Sequence, residues 1–149
     1  MITKTSLNDI YAPIDKELKS FSEQLKKELA SDDPLIGQIH DHLLKMTGKF
    51  LRPALTILCS KIGDKECPGA VKLAAAIELI HTATLVHDDI IDDSELRRNM
   101  PSIYSKWGAE ISIVSGDYLY AKAFLLLASL GDPWISQAFA ACAHVICEG

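Results

Sequence analysis

Between Gly69 and Ser94 the chain contains neither glycine nor proline. No other feature limits the fold as strongly. Alanine and leucine are frequent in this stretch, and both favour helix. It therefore predicts one helix from Gly69 to about Asp93, about 36 Å long at the usual rise per residue. A rod of that length needs other long helices to cover it. The scarcity of Gly (8) and Pro (6), and their clustering at apparent breaks, argues against a many-turned β fold.

The remaining segments read the same way. A first helix is expected over residues 6 to 30, where Leu7, Ile10, Ile14, Leu18, Phe21, Leu25 and Leu29 recur every three or four positions between Lys and Glu. Ser31-Asp32-Asp33-Pro34 reads as a stop followed by a cap and a first-turn proline. A second helix is expected from Leu35 to Met46, and a third from about Arg52-Pro53 to Gly63-Asp64. Leu96 to Ser105 contains Asn99-Met100-Pro101 and reads as a loop. A fifth helix is expected from about Glu110 to Leu130, and a sixth from near Trp134. The fold class is all-α, a bundle of long helices. The chain reaches Gly149 without a polar cap, as expected if the core continues in a further segment or a partner.

Hydrophobic residues make up 48% and charged residues 23% of the 149 positions, too apolar for a disordered chain. Fifteen Lys+Arg against 20 Asp+Glu give a net charge of -5, so nucleic acid is set aside as a partner. The start, Met1-Ile2-Thr3-Lys4-Thr5, lacks an apolar leader. No unbroken apolar run reaches the roughly 18 residues of a membrane span, and Ala121 to Leu130, broken by Lys122, reads as a buried core helix. Cys59, Cys67, Cys142 and Cys147 form no CxxC pair. A cytoplasmic chain with reduced thiols and no integral membrane segment is expected.

The long helix ends in His87-Asp88-Asp89-Ile90-Ile91-Asp92-Asp93. Helical spacing puts Asp88 and Asp92 one turn apart on one face, and Asp89 and Asp93 in a second such pair. Like charges at this spacing cost roughly 0.2–0.5 kcal/mol each, and the macrodipole disfavours anions at a helix C-terminus. A cation removes both penalties. Oxygen ligands without His or Cys favour Mg2+, which completes its shell with water and phosphate. Arg97 and Arg98 follow, suited to bidentate phosphate contacts. A solvated acidic cap, with Arg97 paired to Asp93, has the same local sequence. His81 shares a stripe with Glu78, Leu85, Asp88 and Asp92, where a packed core histidine and a ligand-binding one look alike. A second cationic cluster, Gly48-Lys49-Phe50-Leu51-Arg52-Pro53, lies at a glycine break before a helix start, where free N–H groups favour an anion. It is not a P-loop.

Four ordered stretches together resemble the trans-isoprenyl (polyprenyl) diphosphate synthases, closest to the long-chain, octaprenyl-type members. They are Gly48–Pro53, Glu78–Asp92, Leu96-Arg97-Arg98 and Gly116-Asp117-Tyr118-Leu119. The resemblance implies an isoprenoid-synthase helix bundle and a prenyltransferase that condenses isopentenyl diphosphate with an allylic prenyl diphosphate. It implies that Asp88, Asp89 and Asp92 bind Mg2+ and, with Arg97, serve the chemistry. It also implies that Arg97 contacts the allylic diphosphate, and that Lys49, Arg52, His81 and Arg98 hold the diphosphate of isopentenyl diphosphate. In this family bulky residues one turn before the aspartates shorten the product. Ala83 and Thr84, both small, therefore imply a long-chain product.

The family's second aspartate-rich motif is missing, so residues 1–149 are expected to be the N-terminal half of a synthase domain. A shortened chain, a degraded gene product and one subunit of a split enzyme all fit. A homo-oligomer, or a heteromer with a chain carrying the second motif, is expected, and the chain alone is expected to be inactive. Two other readings stay open. One is a non-catalytic subunit regulating a full-length synthase. The other is an HD-type metal phosphohydrolase using His40, His42, His81 and His87-Asp88. Where family members have Gly after the arginines, this chain has Asn99, which stiffens the turn although Asn tolerates φ > 0 better than most residues, so altered loop closure over the diphosphate is expected.

Overall fold

The computed structural model describes residues 6–46, 48–62 and 67–148. They form an all-α structure with one two-residue ribbon. The chain divides into two compact units, Met1–Glu78 and Leu79–Gly149.

In the first unit the expected helix over residues 6 to 30 is interrupted. Helix α1 (Leu7–Tyr11) starts from a capping box in which Ser6 and Asp9 bond each other's backbone N–H. A 3-10 turn (Ala12–Ile14) follows, and α2 (Asp15–Leu29) begins only after it. The cause is Pro13, which lacks an N–H and cannot continue an α-helical ladder. Asp15 and Glu17 in the first turn of α2, with Lys26 and Lys27 in the last, complement its dipole. Phe21, Leu25 and Leu29 bury one stripe.

Helix α3 (Pro34–Lys45) begins as expected. Asp33 caps it by accepting from the N–H groups of Leu35 and Ile36, both at 2.9 Å, with Pro34 in the first turn. The buried His40 hydrogen-bonds the Leu29 carbonyl at 2.7 Å, which ties α3 to the end of α2. Helix α4 (Leu51–Ser60) packs on α2 and on the 3-10 turn. The expected end at Gly63-Asp64 lies outside the described residues.

Helix α5 (Ala70–Ile91) is the long rod. Ala74, Ala75, Ala76, Leu79, Ala83 and Val86 are buried along it. Helix α7 (Ala109–Ala128) buries Ser112, Ser115, Gly116, Leu119 and Ala123. Both helices are long and apolar enough to cross a membrane by length and composition. The expectation from unbroken runs stands beside this, because a single lysine or glutamate breaks a run yet leaves the helix average apolar. A helix packed inside a protein has the same composition. Helix α8 (Pro133–Glu148) is capped by Asp132, packs against α7, and leaves Trp134, Val145 and Ile146 exposed.

The expected loop from Leu96 to Ser105 is ordered as well. Strands β1 (Leu96–Arg97) and β2 (Met100–Pro101) pair antiparallel, and α6 (Ile103–Trp107) follows under a Ser102 cap. The two-residue connection, Arg98 at φ 53 and Asn99 at φ 63, has the positive φ values of a type I′ turn.

Gly116 fixes how closely the last turns of α5 meet α7. A Cβ there would lie 2.1 Å from His87 Nε2. That nitrogen lies 3.2 Å from the Ile113 carbonyl, so it carries the hydrogen and donates. Alanine in a helix interior normally gains about 1 kcal/mol over glycine. At this position the overlap reverses the sign, since overpacking costs about 1–3 kcal/mol. Gly116→Ala is expected to lower stability by about 1 kcal/mol, whereas the same change in a His87→Ala background is expected to raise it. Thermal denaturation of the four proteins, followed by circular dichroism, measures both signs.

Candidate active site

Helix α5 ends in a way that sorts its four carboxylates. The Asp92 N–H donates to the Asp88 carbonyl at 2.8 Å, so these two residues stay one helical turn apart. Both are exposed. Asp93 then turns left-handed at φ 50. Its N–H reaches the Ile90 carbonyl, and the Ser94 N–H reaches the Asp89 carbonyl at 2.9 Å. This is a Schellman closure with aspartate in the place usually held by glycine. The expected pairing of Asp89 with Asp93 on one helical face therefore does not form, since Asp93 has left the helix. Its carboxylate accepts a 2.8 Å hydrogen bond from the Tyr104 hydroxyl, which holds the Tyr104 pKa above its ordinary value.

Asp89 is 3% exposed. Arg97 donates to its Oδ1 from Nε at 2.9 Å and from Nη2. The alternative partner for Arg97, Asp93, is thus replaced by Asp89. Removing one member of a buried ion pair costs about 3–5 kcal/mol. This pair removes one like charge from the helix end and anchors β1 to α5. Two exposed carboxylates, Asp88 and Asp92, remain on the final turn. Among the described residues there is no group of three or more His, Cys, Asp or Glu that could hold a metal ion.

His87 sits beside this turn, with Asp117 Oδ1 3.7 Å from its Nε2 and the Tyr120 ring centroid 6.1 Å away. Tyr120 stacks on Phe124 at 6.5 Å. Burial pushes the Tyr120 phenol up, with further contributions from Cys147, Asp88 and Cys142, which places it near the acidic turn. His81 is half-buried, and its carbonyl accepts from the Thr84 hydroxyl at 2.8 Å. Ala83 is fully buried and Thr84 half-buried. Arg98 is exposed at the tip of the hairpin.

Lys49 and Arg52 belong to the first unit, where both are exposed at the start of α4. Between them Phe50 caps the helix at φ 50. A bulky residue there is an outlier, held at a cost of roughly 1–2 kcal/mol. The structure brings Asp89 and Arg97 together and keeps Asp88 with Asp92. It separates Asp93 from them. His40 and His42 are buried in the first unit, so the converging ligands of the phosphohydrolase reading are not found among the described residues. Sequence reasoning passed over Phe50 and Tyr104 as site residues, and used His87 only as a metal candidate. The Gly116 motif carried the one signal that bore on His87.

Residues 33–149 match the family model described as Polyprenyl synthetase. The heptaprenyl diphosphate synthase component 2 of Geobacillus stearothermophilus is 36% identical over 143 residues, which span 96% of this chain and 45% of that relative. The crystal structure of a decaprenyl diphosphate synthase from Rhodobacter capsulatus matches with a TM-score of 0.89 and 32% identity, covering 95% of this chain and 44% of that one. A polyprenyl synthase from Caulobacter crescentus, solved with calcium and isoprenyl diphosphate, matches with a TM-score of 0.91 and 31% identity, covering 99% and 45%. The chain thus spans a little under half the length of these relatives. With all four of its motifs inside or just beside the helices described above, it belongs to the polyprenyl synthetase family.

Proposed function

We propose that residues 1–149 form the N-terminal half of a cytoplasmic trans-polyprenyl diphosphate synthase that lengthens an allylic prenyl diphosphate with isopentenyl diphosphate. The observation that carries this reading is the sorting of charge at the end of α5. Asp88 and Asp92 are exposed one turn apart, while Asp89 is neutralised by Arg97. Two carboxylates fit Mg2+, which is normally held by one or two of them plus water and phosphate. When bound, the ion supplies positive charge against the departing diphosphate. Asp89 in this reading is a positioning residue for Arg97 rather than a ligand, which amends the expectation for the three aspartates.

In the reaction the allylic C–O bond breaks, pyrophosphate departs, and the double bond of isopentenyl diphosphate attacks the carbocation before a proton is lost. The residues of this chain bind and orient. Arg97, fixed by Asp89, keeps its remaining N–H groups for the allylic diphosphate, whose leaving group gains negative charge in the transition state. Lys49, Arg52, His81 and Arg98 are assigned to the diphosphate of isopentenyl diphosphate by their motif positions. The apolar faces of α5 and α7 suit a dry path for the growing chain. The partner is a second copy or a chain carrying the second aspartate-rich motif. The "component" in the name of the Geobacillus relative supports a partner.

Turnover, ion binding, stability and product length test this. The pure chain with Mg2+, labelled isopentenyl diphosphate and an allylic primer is expected to show no turnover, and turnover is expected to appear with a chain supplying the second motif. Titration with Mn2+, followed by electron paramagnetic resonance, is expected to show binding that Asp88→Asn or Asp92→Asn weakens at least about tenfold, as loss of a charged ligand does. Asp89→Asn is expected instead to destabilise the fold by about 3 kcal/mol. In the complete enzyme, Thr84→Phe is expected to shorten the product on chromatography. Ala83→Phe, at a fully buried position, is expected to lower stability first.

A further inference from the structure

We infer that Tyr11 is a positioning residue for the Lys49–Arg52 cluster, acting through the backbone of Lys49. The inference rests on the reading of that cluster as the isopentenyl diphosphate subsite. Three independent features of the first unit carry it. The Tyr11 hydroxyl donates to the Lys49 carbonyl at 2.7 Å, across 38 positions of sequence. The next residue, Phe50, holds a left-handed backbone at φ 50 and caps α4 without a side-chain hydrogen bond. Its ring meets the edge of the wholly buried Phe21 with centroids 5.1 Å apart and planes at 73°. Strain of this kind persists only where the surroundings over-determine it, and it gathers at ligand sites.

The geometry explains the arrangement. Lys49 and Arg52 flank Phe50, so the conformation of Phe50 fixes the direction in which the chain enters α4. The phenyl contact pins Phe50 from one side, and the Tyr11 hydroxyl pins the preceding peptide. The 3-10 turn next to Tyr11 packs on both α2 and α4, with Ile14 buried beneath it. That packing brings the hydroxyl to a carbonyl far away in sequence. Partial burial raises the Tyr11 phenol above its ordinary pKa. Asp9 and Ser6 already complete the cap of α1, and the Tyr11 hydroxyl makes its bond outside its own helix.

The test uses Tyr11→Phe, which removes one oxygen and keeps the ring. Isothermal titration of the chain with isopentenyl diphosphate, and separately with Mn2+, reads the two subsites. Loss of one orienting hydrogen bond is expected to weaken isopentenyl diphosphate binding about three- to tenfold, with Mn2+ binding unchanged. A purely structural role would instead lower stability and move both ligands together, and that result overturns the inference. So does isopentenyl diphosphate binding equal to wild type. Lys49→Ala and Arg52→Ala serve as controls. If wild type binds isopentenyl diphosphate and neither control weakens it, or if wild type does not bind it at all, the subsite reading falls and the role of Tyr11 falls with it.

Discussion

The contact between Asp89 and Arg97 is what allows the acidic end of α5 to exist. Four carboxylates at the negative pole of a helix dipole repel one another and the dipole together. Burying one of them without a partner costs several kcal/mol. Arg97 supplies that partner from a residue outside the helix, and in doing so ties the hairpin to the last turns of α5. Ser102 then closes the segment by donating to the Ser94 carbonyl from its hydroxyl and to the Glu95 carbonyl from its N–H. With Asp89 satisfied and the exposed Asp93 turned out of the helix and bonded to Tyr104, Asp88 and Asp92 are left as the exposed carboxylates of the last helical turn. The acidic cap is sorted into a two-carboxylate helical face, one buried ion pair and one hydrogen-bonded aspartate.

Much of this was legible in the residues because its causes are local. The α5 rod follows from a stretch without breakers, and α3 from Asp33 and Pro34, whose roles at a helix start depend only on neighbours. The one-turn relation of Asp88 and Asp92 follows from the helical period. What escaped depends on distant groups or on competing signals. Pro13 lay in plain view, but a strong apolar period ran across it. Asp93 leaves the helix through a closure that glycine usually signals, and Tyr104, which holds its carboxylate, is 11 positions away. Arg97 has two candidate partners in sequence, and only the folded hairpin decides between them. The bond from Tyr11 to Lys49 has no sequence signature at all.

The second unit owes its close helix contact to small residues. At Gly116 the absence of a side chain admits the His87 ring against α7. Alanines do similar work along α5, where Ala83 has no exposed surface. The identity of α5 as a core helix therefore lies in which small residues face inward. Its average hydropathy would equally suit a helix in lipid.

The tip of the hairpin carries a lesson for how experiments on this molecule are interpreted. Arg98 and Asn99 both hold positive φ, so the side chain that bears a guanidinium also occupies a backbone state most residues resist. Truncating Arg98 to alanine removes a cation but keeps the Cβ that strains the backbone at positive φ, so the turn beside Arg97 is left as it was. A loss of function there reports the missing charge. Asparagine or glycine at position 98 discards the same charge while easing the bend, so comparison with alanine isolates the contribution of backbone strain.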